Sequence, residues 1–241
     1  MAKVGPKIDV RTPPFETEQL LEQLSAYLHM QVDDPHAGGT RALGDFKWGA
    51  YAFYGYDDEP IYIGQTNEQL RTRIRRHLTN QRTDAVAMSV LDPFEVCDIE
   101  VWPLPEFQNT GSAERDAKAA LNALEYQVYK RAIEKSKFGA VLNEKDPAPP
   151  EKEIKLPKSH RGTIVSKEVM ELRGHPDLRI ARRALIISRL AQVISERKVQ
   201  GGLRRVMLVQ AQRLAWLADQ RFGSLGGQQS VEVENAGDSE T

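Results

Sequence analysis

A cluster of prolines near the middle of the chain limits its fold more than any other feature. Three of the four residues 147–150 are proline. Proline lacks a backbone N–H and fixes φ, so this run can neither continue a helix nor lie inside a sheet. We therefore place a linker at residues 146–151. In a chain of 241 residues, this leaves room for one domain of about 100 to 150 residues and a smaller accessory unit.

Apolar spacing before the linker predicts a small unit of helices and strands. We expect an N-terminal helix from Glu16 to about Met30, after a disordered arm, and a loop over the glycine-rich stretch 33–45. Two apolar runs, Lys47–Tyr56 and Ile61–Gly64, flank a turn and predict a β-hairpin. The remaining predicted elements are a helix from an Asn67 cap to about Leu78, a strand over Phe94–Trp102, a helix from Glu114 to about Lys135 and a strand-like segment at 139–143.

The segment after the linker predicts helices. Apolar residues recur at helical spacing over Ser166–Arg173, from Pro176 to about Arg197 and over Leu203–Arg221, and the Gly201-Gly202 pair separates the last two. The expected organisation is an N-terminal arm and helix (1–45), a core domain (46–145), the linker (146–151), a basic helical region (152–222) and a disordered acidic tail (223–241).

Composition excludes several classes of protein. Hydrophobic residues make up 40% of the chain and charged residues 28%, which are ordinary values for a globular protein. No run of about 18 apolar residues is present, and the N-terminus lacks the apolar core of a secretion signal. The single cysteine, Cys97, excludes an intrachain disulfide and a cysteine zinc cluster. We therefore expect a soluble protein in the reducing cytoplasm.

Charge is distributed unevenly along the chain, although the net charge is only -1. Residues 151–221 contain 16 Lys and Arg against 7 Asp and Glu, whereas residues 222–241 contain four acids and no base. A concentrated positive field favours a polyanionic partner. A helical surface with solvated arginines explains the same charge equally well.

Two triplets in the predicted hairpin introduce a set of spaced polar residues. The strands contain Gly49-Ala50-Tyr51 and Tyr62-Ile63-Gly64. Arg73 follows Tyr62 by eleven residues, and His77 follows Arg73 by four. A four-residue separation on a helix is about one turn, so Arg73 and His77 share a helix face.

Two further residues complete this set: Glu125 within LEYQVYKRAI and Asn143 within VLN. Together with GAY and YIGQTNEQLRTRIRRH, these segments follow one another in an order that resembles the GIY-YIG nucleases, a family of restriction, homing and repair endonucleases. The resemblance covers roughly residues 47–145. It implies an α/β (α+β) fold with a small mixed three-stranded β-sheet flanked by helices, here extended by an N-terminal helix and a helical basic C-terminal region.

The chain departs from the family pattern at two points. Ala50 stands where the family usually has isoleucine, a change that affects packing more than chemistry. The interval from the second tyrosine to the arginine is one residue longer than the commonest pattern, so Arg71 competes with Arg73 for the catalytic role. We favour Arg73 because its distance from His77 matches the family arrangement.

The resemblance implies one divalent metal ion, Mg²⁺ or Mn²⁺, bound through Glu125. Water and phosphate oxygens would occupy the other coordination positions, an arrangement that suits a hard ion. Arg73 would offer its planar, permanently charged fork to the phosphate.

The resemblance also assigns the motif tyrosines. Tyr51 would be the general base for the attacking water, although a phenol with a pKa of about 10 needs help from the metal ion, Arg73 or His77. His77 would help to relay the proton, and Tyr62 would hydrogen-bond the water or the phosphate. Asn143 would support the site rather than react.

Simpler explanations exist for each of these residues. The tyrosines could be an ordinary aromatic pair of strands, but the Arg, His and Glu that follow favour the catalytic interpretation. Glu125 lies next to the apolar stripe of its helix, where a buried carboxylate would need a partner. Phosphate contact and a solvated helix face explain Arg71, Arg75 and Arg76 almost equally well.

The basic region offers candidate DNA contacts. Its first part, directly after the linker, suits a DNA groove and contains Lys152, Lys155, Lys158 and Arg161. The later helices add further arginines, among them Arg182 and Arg183. These helices could bind DNA or form a dimer interface, and the pattern does not separate the two. An enzyme that cuts both strands usually needs two active sites, which favours a homodimer.

These observations predict a metal-dependent endodeoxyribonuclease acting on double-stranded DNA, of the type II-like site-specific restriction kind. A homing, mobile-element or repair endonuclease of the same family is the alternative. From a different class, a catalytically silent nucleic-acid-binding module is the remaining hypothesis.

Overall fold

The architecture is an antiparallel sheet with helices on both faces. The structure, a computed structural model, describes residues 15–79, 91–196 and 201–227. Its helices are α1 (Phe15–His29), α2 (Leu70–Leu78), α3 (Arg115–Lys135), α4 (Lys167–Arg173), α5 (Pro176–Glu196) and α6 (Gly201–Ser224). Its strands are β1 (Gln31–Asp34), β2 (Gly39–Ala42), β3 (Gly49–Tyr54), β4 (Pro60–Thr66), β5 (Asp98–Pro103) and β6 (His160–Thr163). The expected N-terminal arm and the end of the expected acidic tail lie outside the described residues.

Four strands form the central sheet in the order β4-β3-β5-β6, and each neighbouring pair is antiparallel. The α+β fold class is therefore confirmed, with two differences. The sheet is antiparallel rather than mixed, and it has a fourth strand, since β6 pairs with β5 from Val101↔His160 to Asp98↔Thr163. The short β6 has no apolar alternation, so no strand signal marks it in the sequence.

Side chains of β3 alternate between the two faces of the sheet. Tyr51 and Phe53 belong to one apolar cluster, whereas Ala50, Ala52 and Tyr54 belong to the other. Helix α3 covers the second face. It does so through its predicted apolar stripe, whose members are all buried: Ala117, Leu121, Leu124, Val128 and Ala132.

The first face of the sheet is covered by helices from both sides of the linker. One apolar core joins Tyr51 and Phe53 to buried residues of α1, α2, α5 and α6, among them Leu28, Ile74, Leu190 and Val206. The division into domains at residues 146–151 stays a prediction. The described residues on its two sides share this core, and β6 lies beyond the prolines but within the sheet.

Interior ion pairs also fix α5 and α6 to the sheet. Arg179, Arg183 and Arg213 are 4%, 4% and 2% exposed, and a buried guanidinium is stable only with partners. Their partners are carboxylates of the β3–β4 turn and of the segment before β5. Arg179 Nη2 lies 3.0 Å from Asp57 Oδ2, Arg183 Nε 3.4 Å from Glu95 Oε2, and Arg213 Nη2 3.4 Å from Glu59 Oε1.

The loop expected over residues 33–45 is wrong, because β1 and β2 form an antiparallel hairpin there. The Asp34 side chain is 1% exposed and organises the turn. Its Oδ1 accepts hydrogen bonds from the backbone N–H groups of His36 and Ala37, each at 3.2 Å, and its Oδ2 lies 2.7 Å from Arg41 Nε. Gly38 adopts φ 68°, which glycine tolerates. The glycine and aspartate residues that suggested a loop instead form the tight turn between β1 and β2.

Two predicted boundaries also differ. Helix α2 begins at Leu70 rather than after a cap at Asn67, and the Leu70 N–H donates to the Phe46 carbonyl at 2.9 Å. Strand β5 begins at Asp98 because a short 3-10 turn precedes it, held by Asp92 Oδ1, which accepts from the Phe94 N–H at 2.9 Å. The other described helices agree with their predicted bounds to within a few residues. None of the described helices is long and apolar enough to cross a membrane.

Candidate active site

Tyr51 and Gly64 face each other across the β3–β4 hairpin. Tyr51 is fully buried, and a Cβ atom at Gly64 would lie 2.5 Å from its Cζ and Oη atoms. A glycine is therefore needed at 64, because any side chain would displace the ring. At Gly49, a Cβ atom would lie 2.7 Å from the Trp102 carbonyl oxygen. Both motif glycines allow close approach within the sheet.

Helix α2 brings Arg73 to the Tyr51 hydroxyl. The Arg73 Nε donates a hydrogen bond to Tyr51 Oη at 3.3 Å. The competing candidate, Arg71, is directed to another partner, with its Nη2 2.5 Å from Asp45 Oδ1. The structure thus brings Arg73 and not Arg71 to the motif tyrosine. The catalytic roles of both stay predictions.

Tyr62 and His77 complete an aromatic group around Tyr51. The His77 ring centroid lies 5.9 Å from that of Tyr51 and 5.3 Å from that of Tyr62, distances typical of aromatic contacts. Phe53, paired with Tyr62 in the hairpin register, stacks on it at 6.0 Å. Burial raises the pKa of Tyr51 above the ordinary value for a phenol, with a further contribution from Tyr62, while Arg73 opposes the shift. The Tyr51 phenol is therefore neutral at neutral pH in this structure.

Glu125 reaches the same region from α3. Its side chain is half-buried on the helix flank beside the apolar stripe. Burial raises the pKa of Glu125 to about 7, and the positive charge of Arg73 opposes this shift. Within the described residues, the carboxylate accepts no hydrogen bond, so Arg73 is the charge that acts on it.

Asn143 holds the free edge of β4. Its Oδ1 accepts from the Ile63 N–H at 3.0 Å, and its Nδ2 donates to the Ile63 carbonyl at 2.8 Å. The Leu142 N–H donates to the Ile61 carbonyl at 2.7 Å. The segment expected to be strand-like, 139–143, is not itself a strand, but its end pairs with β4 much as a strand would. Asn143 is 8% exposed and supports the second triplet directly.

The residues present fit a metal ion held by a single carboxylate. Within the described ranges, there is no group of three or more His, Cys, Asp and Glu that could hold a metal ion. Glu125 offers a carboxylate to which no residue of the described ranges donates a hydrogen bond, in surroundings where burial disfavours its negative charge. Mg²⁺ is commonly bound through one or two carboxylates, with waters and substrate phosphates as the other ligands. Glu125 can serve as such a ligand.

The α2 arginines predicted to contact phosphate have different surroundings. Arg71 pairs with Asp45, and Arg76 pairs with Glu68. Arg75 is exposed, with its Nη2 3.4 Å from Ser25 Oγ, and has no carboxylate partner among the described residues. Arg75 is therefore the most available of the three.

The segment after the linker has no helix or strand before β6, and its lysines are exposed. Lys152, Lys155 and Lys158 are exposed, whereas Ile154 and Leu156 between them pack on the cluster that includes α3.

The fourth basic residue of this segment, Arg161, is held by carboxylates. Its Nη2 lies 2.8 Å from Asp98 Oδ2 and also pairs with Asp58, and its guanidinium lies 4.0 Å from the Tyr54 ring centroid.

Arg182 and Arg183 are both engaged within the protein. Arg182 Nε lies 3.2 Å from Asp92 Oδ2. Arg183 belongs to the interior ion pairs, and its Nη1 also donates to the Arg213 carbonyl at 3.0 Å. The predicted DNA contact of Arg183 disagrees with this burial, because an enclosed guanidinium is not presented to a phosphate.

Sequence reasoning missed Arg205 of α6. Its Nη2 donates to the Asn143 carbonyl at 2.9 Å, and its Nη1 donates to Asp146 Oδ2 at 2.8 Å. In the sequence, Arg205 is one of many basic residues on a helix. No local pattern indicates that it reaches the segment after α3.

A comparison with protein families identifies the core of this site. Residues 47–130 match the model of the GIY-YIG catalytic domain, whereas no curated protein and no solved structure was found to match the chain. The matched segment contains β3, β4, α2, β5 and most of α3, and Asn143 lies beyond it. The resemblance deduced from the motifs is confirmed. Residues 47–130 of this chain therefore match a nuclease domain, the GIY-YIG catalytic domain.

Proposed function

We propose that this protein is a metal-dependent endonuclease that hydrolyses double-stranded DNA as a type II-like, site-specific restriction enzyme. The observation that carries the proposal is the convergence of Tyr51, Arg73 and Glu125 from β3, α2 and α3. Phosphodiester hydrolysis needs a proton acceptor for water, a cation for the phosphate and a means of stabilising the leaving oxygen. These three residues supply the side chains for that chemistry.

The described side chains divide the reaction between them. The guanidinium of Arg73 offers two parallel donors to phosphate oxygens and so balances the charge that develops in the transition state. Tyr51 takes the proton of the attacking water at Oη while its own phenolic proton passes to His77, and the hydrogen bond from Arg73 favours the anionic form of Oη. His77 would relay that phenolic proton to solvent, and Tyr62 would orient the water or the phosphate; the ring contacts of both residues with Tyr51 support these roles. Asn143 acts on the site only through β4.

Glu125 is the residue that would hold Mg²⁺ or Mn²⁺. When bound, the ion supplies positive charge to the scissile phosphate and the leaving 3′ oxygen. The half-buried carboxylate suits this task because no described residue donates a hydrogen bond to it and burial leaves its negative charge poorly stabilised, so a cation would stabilise the ionised form.

The exposed cations provide the DNA surface in this proposal. Arg75, Lys152, Lys155 and Lys158 are exposed and are our first choices for phosphate contacts. Among the described residues, Lys158 has only a long contact with an exposed carboxylate, its Nζ 3.9 Å from Asp33 Oδ2. Secondary candidates are the cations with closer carboxylate partners, which must exchange those partners for phosphate: Arg71, Arg76, Arg161 and Arg182.

The restriction assignment rests on the organisation of the chain. The nuclease domain lies between an N-terminal helix and C-terminal helices that share its core, which fits an enzyme with fixed target recognition. We propose a homodimer, since two strands must be cut, and a cytoplasmic location, where Cys97 stays reduced. A homing, mobile-element or repair endonuclease remains the alternative within the family.

The test of activity is incubation of the purified protein with assorted double-stranded DNAs and Mg²⁺. Discrete fragments support a site-specific enzyme, and a smear supports a nonspecific nuclease. DNA binding without any cleavage, in both Mg²⁺ and Mn²⁺, would favour the silent binding module. Size and mass in solution, with and without DNA, report the dimer.

Matched pairs of variants on α2 and α3 test the roles assigned to Arg73 and Glu125. Glu125→Gln should abolish cleavage and preserve DNA binding, whereas Glu134→Gln, an exposed glutamate of the same helix, should cleave normally. Arg73→Ala should lose at least the ~10² expected when a preorganised charge is removed from a transition state. Arg71→Ala should be mild. If Arg71→Ala is the more damaging change, our assignment of the catalytic arginine is incorrect.

A further inference from the structure

Helix α6 begins directly against the segment that carries Asn143. A Cβ atom at Gly202 would lie 2.2 Å from the carbonyl oxygen of Glu144 and 3.0 Å from its carbonyl carbon. Gly202 therefore lets the backbone of α6 touch the backbone at Glu144, a role additional to the helix break that the sequence predicts. Arg205 follows Gly202 by three residues, so it lies on the same helix face.

Both terminal nitrogens of the Arg205 guanidinium, Nη1 and Nη2, contact the segment that carries Asn143. Nη2 reaches the Asn143 carbonyl at 2.9 Å, and Nη1 lies 2.8 Å from both carboxylate oxygens of Asp146. The planar guanidinium holds its donors in a fixed geometry. The two bonds therefore fix Asn143 and Asp146 relative to each other and to α6. A lysine could reach only one of them at a time.

Asn143 transmits this constraint to β4, the strand that contains Tyr62 and Gly64. Its side chain makes the two hydrogen bonds with Ile63 described above. Ile63 lies between Tyr62 and Gly64, and Gly64 lies against the Tyr51 ring. Since β4 is an edge strand, it has a strand neighbour on one side only, and Asn143 holds the other side.

Asp146 transmits the constraint to α3. Its Oδ1 accepts a hydrogen bond from Tyr129 Oη. Tyr129 follows Glu125 by four residues, about one turn along α3, on the same flank. Arg205 thus hydrogen-bonds both Asn143, which holds β4, and Asp146, which holds α3.

We propose that Arg205 is a positioning residue for the nuclease reaction. By fixing Asn143 and Asp146, it sets the placement of β4, with Tyr62 and Gly64, relative to α3, with Glu125. This inference rests on the proposed function. It makes α6 a part of the nuclease site through contacts within the protein rather than through contacts with DNA.

Single-turnover cleavage and DNA affinity, measured separately, test this role. Arg205→Ala should lower the single-turnover rate constant by about tenfold or more, because small displacements of catalytic groups are costly. Its affinity for DNA should stay within about twofold of the parent. Arg204→Ala is the matched control, since Arg204 is exposed and should leave both quantities unchanged. Weakened affinity of Arg205→Ala with an unchanged rate constant overturns the proposal.

Two further variants separate positioning from charge and from general destabilisation. Arg205→Lys keeps the positive charge but not the fork, so it should remain slow; full recovery with lysine overturns the proposal. In the double variant Asn143→Ala/Arg205→Ala, the combined loss should be smaller than the product of the two single losses, because the residues act through one connection. A loss equal to the product means that Arg205 does not act through Asn143.

Amide hydrogen exchange at Ile63 gives a measurement that needs no DNA. Arg205→Ala should accelerate exchange of the Ile63 N–H, which is bound to Asn143 Oδ1, and Arg204→Ala should not. Equal exchange in the two variants overturns the proposal. If the parent protein does not cleave DNA at all, the proposed function fails, and the exchange rates still decide whether Arg205 holds the strand.

Discussion

The ring of Tyr51 occupies the space where a side chain at Gly64 would lie, with Cζ and Oη 2.5 Å from the position of the missing Cβ. These two residues pair directly in the β3–β4 register. The glycine of the second triplet is thus explained by the tyrosine of the first. Placement of the Tyr51 hydroxyl beside Arg73 depends on this contact.

Gly64→Ala should therefore impair cleavage strongly while leaving DNA affinity nearly unchanged. The added methyl group must push the buried Tyr51 ring aside and should also destabilise the fold by about 1–3 kcal/mol, as expected for overpacking. Gly111→Ala is the control, because nothing lies within 4 Å of its Cβ position. Single-turnover rates and urea unfolding of both variants check this. Parental cleavage by Gly64→Ala would show that the ring position does not matter.

The two motif tyrosines should respond differently to loss of the hydroxyl. Tyr51→Phe removes one hydrogen bond, so stability should change by only about 1 kcal/mol, yet turnover should collapse if Oη accepts the proton. Tyr62→Phe should be milder. Single-turnover rates against pH for both variants and the parent are the measurement. Because burial raises the pKa of Tyr51, a parental rate that depends on its ionisation should rise with pH through the neutral range. A near-parental rate and profile in Tyr51→Phe would move the base to another group.

Loss of Arg213 should destabilise the whole fold. Arg213 is 2% exposed and pairs with Glu59, so Arg213→Ala would leave the buried Glu59 carboxylate without its cationic partner, with hydrogen bonds, among the described residues, only from Ser136 Oγ and the Lys137 N–H. We expect a loss of about 3–5 kcal/mol in the free energy of unfolding. Arg189→Ala, on the exposed face of α5, should change it by less than about 0.5 kcal/mol. Urea denaturation measures both, and a loss below about 1 kcal/mol for Arg213→Ala would contradict the ion-pair network.

Cys97 should report the docking of β6. The thiol is 6% exposed, and burial, with the nearby Asp98 charge, raises its pKa to about 11. Roughly one thiol in a thousand is then ionised at pH 8. Alkylation at pH 8 should therefore be slow in the native protein and fast in urea. Gly162→Val, which would crowd Tyr27 beside β6, should accelerate it. Fast labelling of the native parent would mean that β6 opens readily.

Much of the candidate site could be predicted because its signals are local. The spacing of Arg73 and His77 specifies one face of one helix, and the apolar stripe of α3 specifies which side of Glu125 faces the core. The ordered motifs identified the GIY-YIG domain that the family comparison confirms. The choice between Arg71 and Arg73 needed the structure, since both lie on α2 and only the contact with Tyr51 distinguishes them.

The sequence by itself determined the helices, the motif hairpin and the order of the motif residues, because these depend on periodicity within short segments. Tertiary structure alone decided that β6 joins the sheet, that Arg183 is enclosed and that Arg205 reaches Asn143. In the local sequence, Arg183 and Arg205 are indistinguishable from exposed arginines of a helix, and β6 has no strand pattern. Their partners lie far away in the chain, so their burial and hydrogen bonds are set only when distant segments pack together.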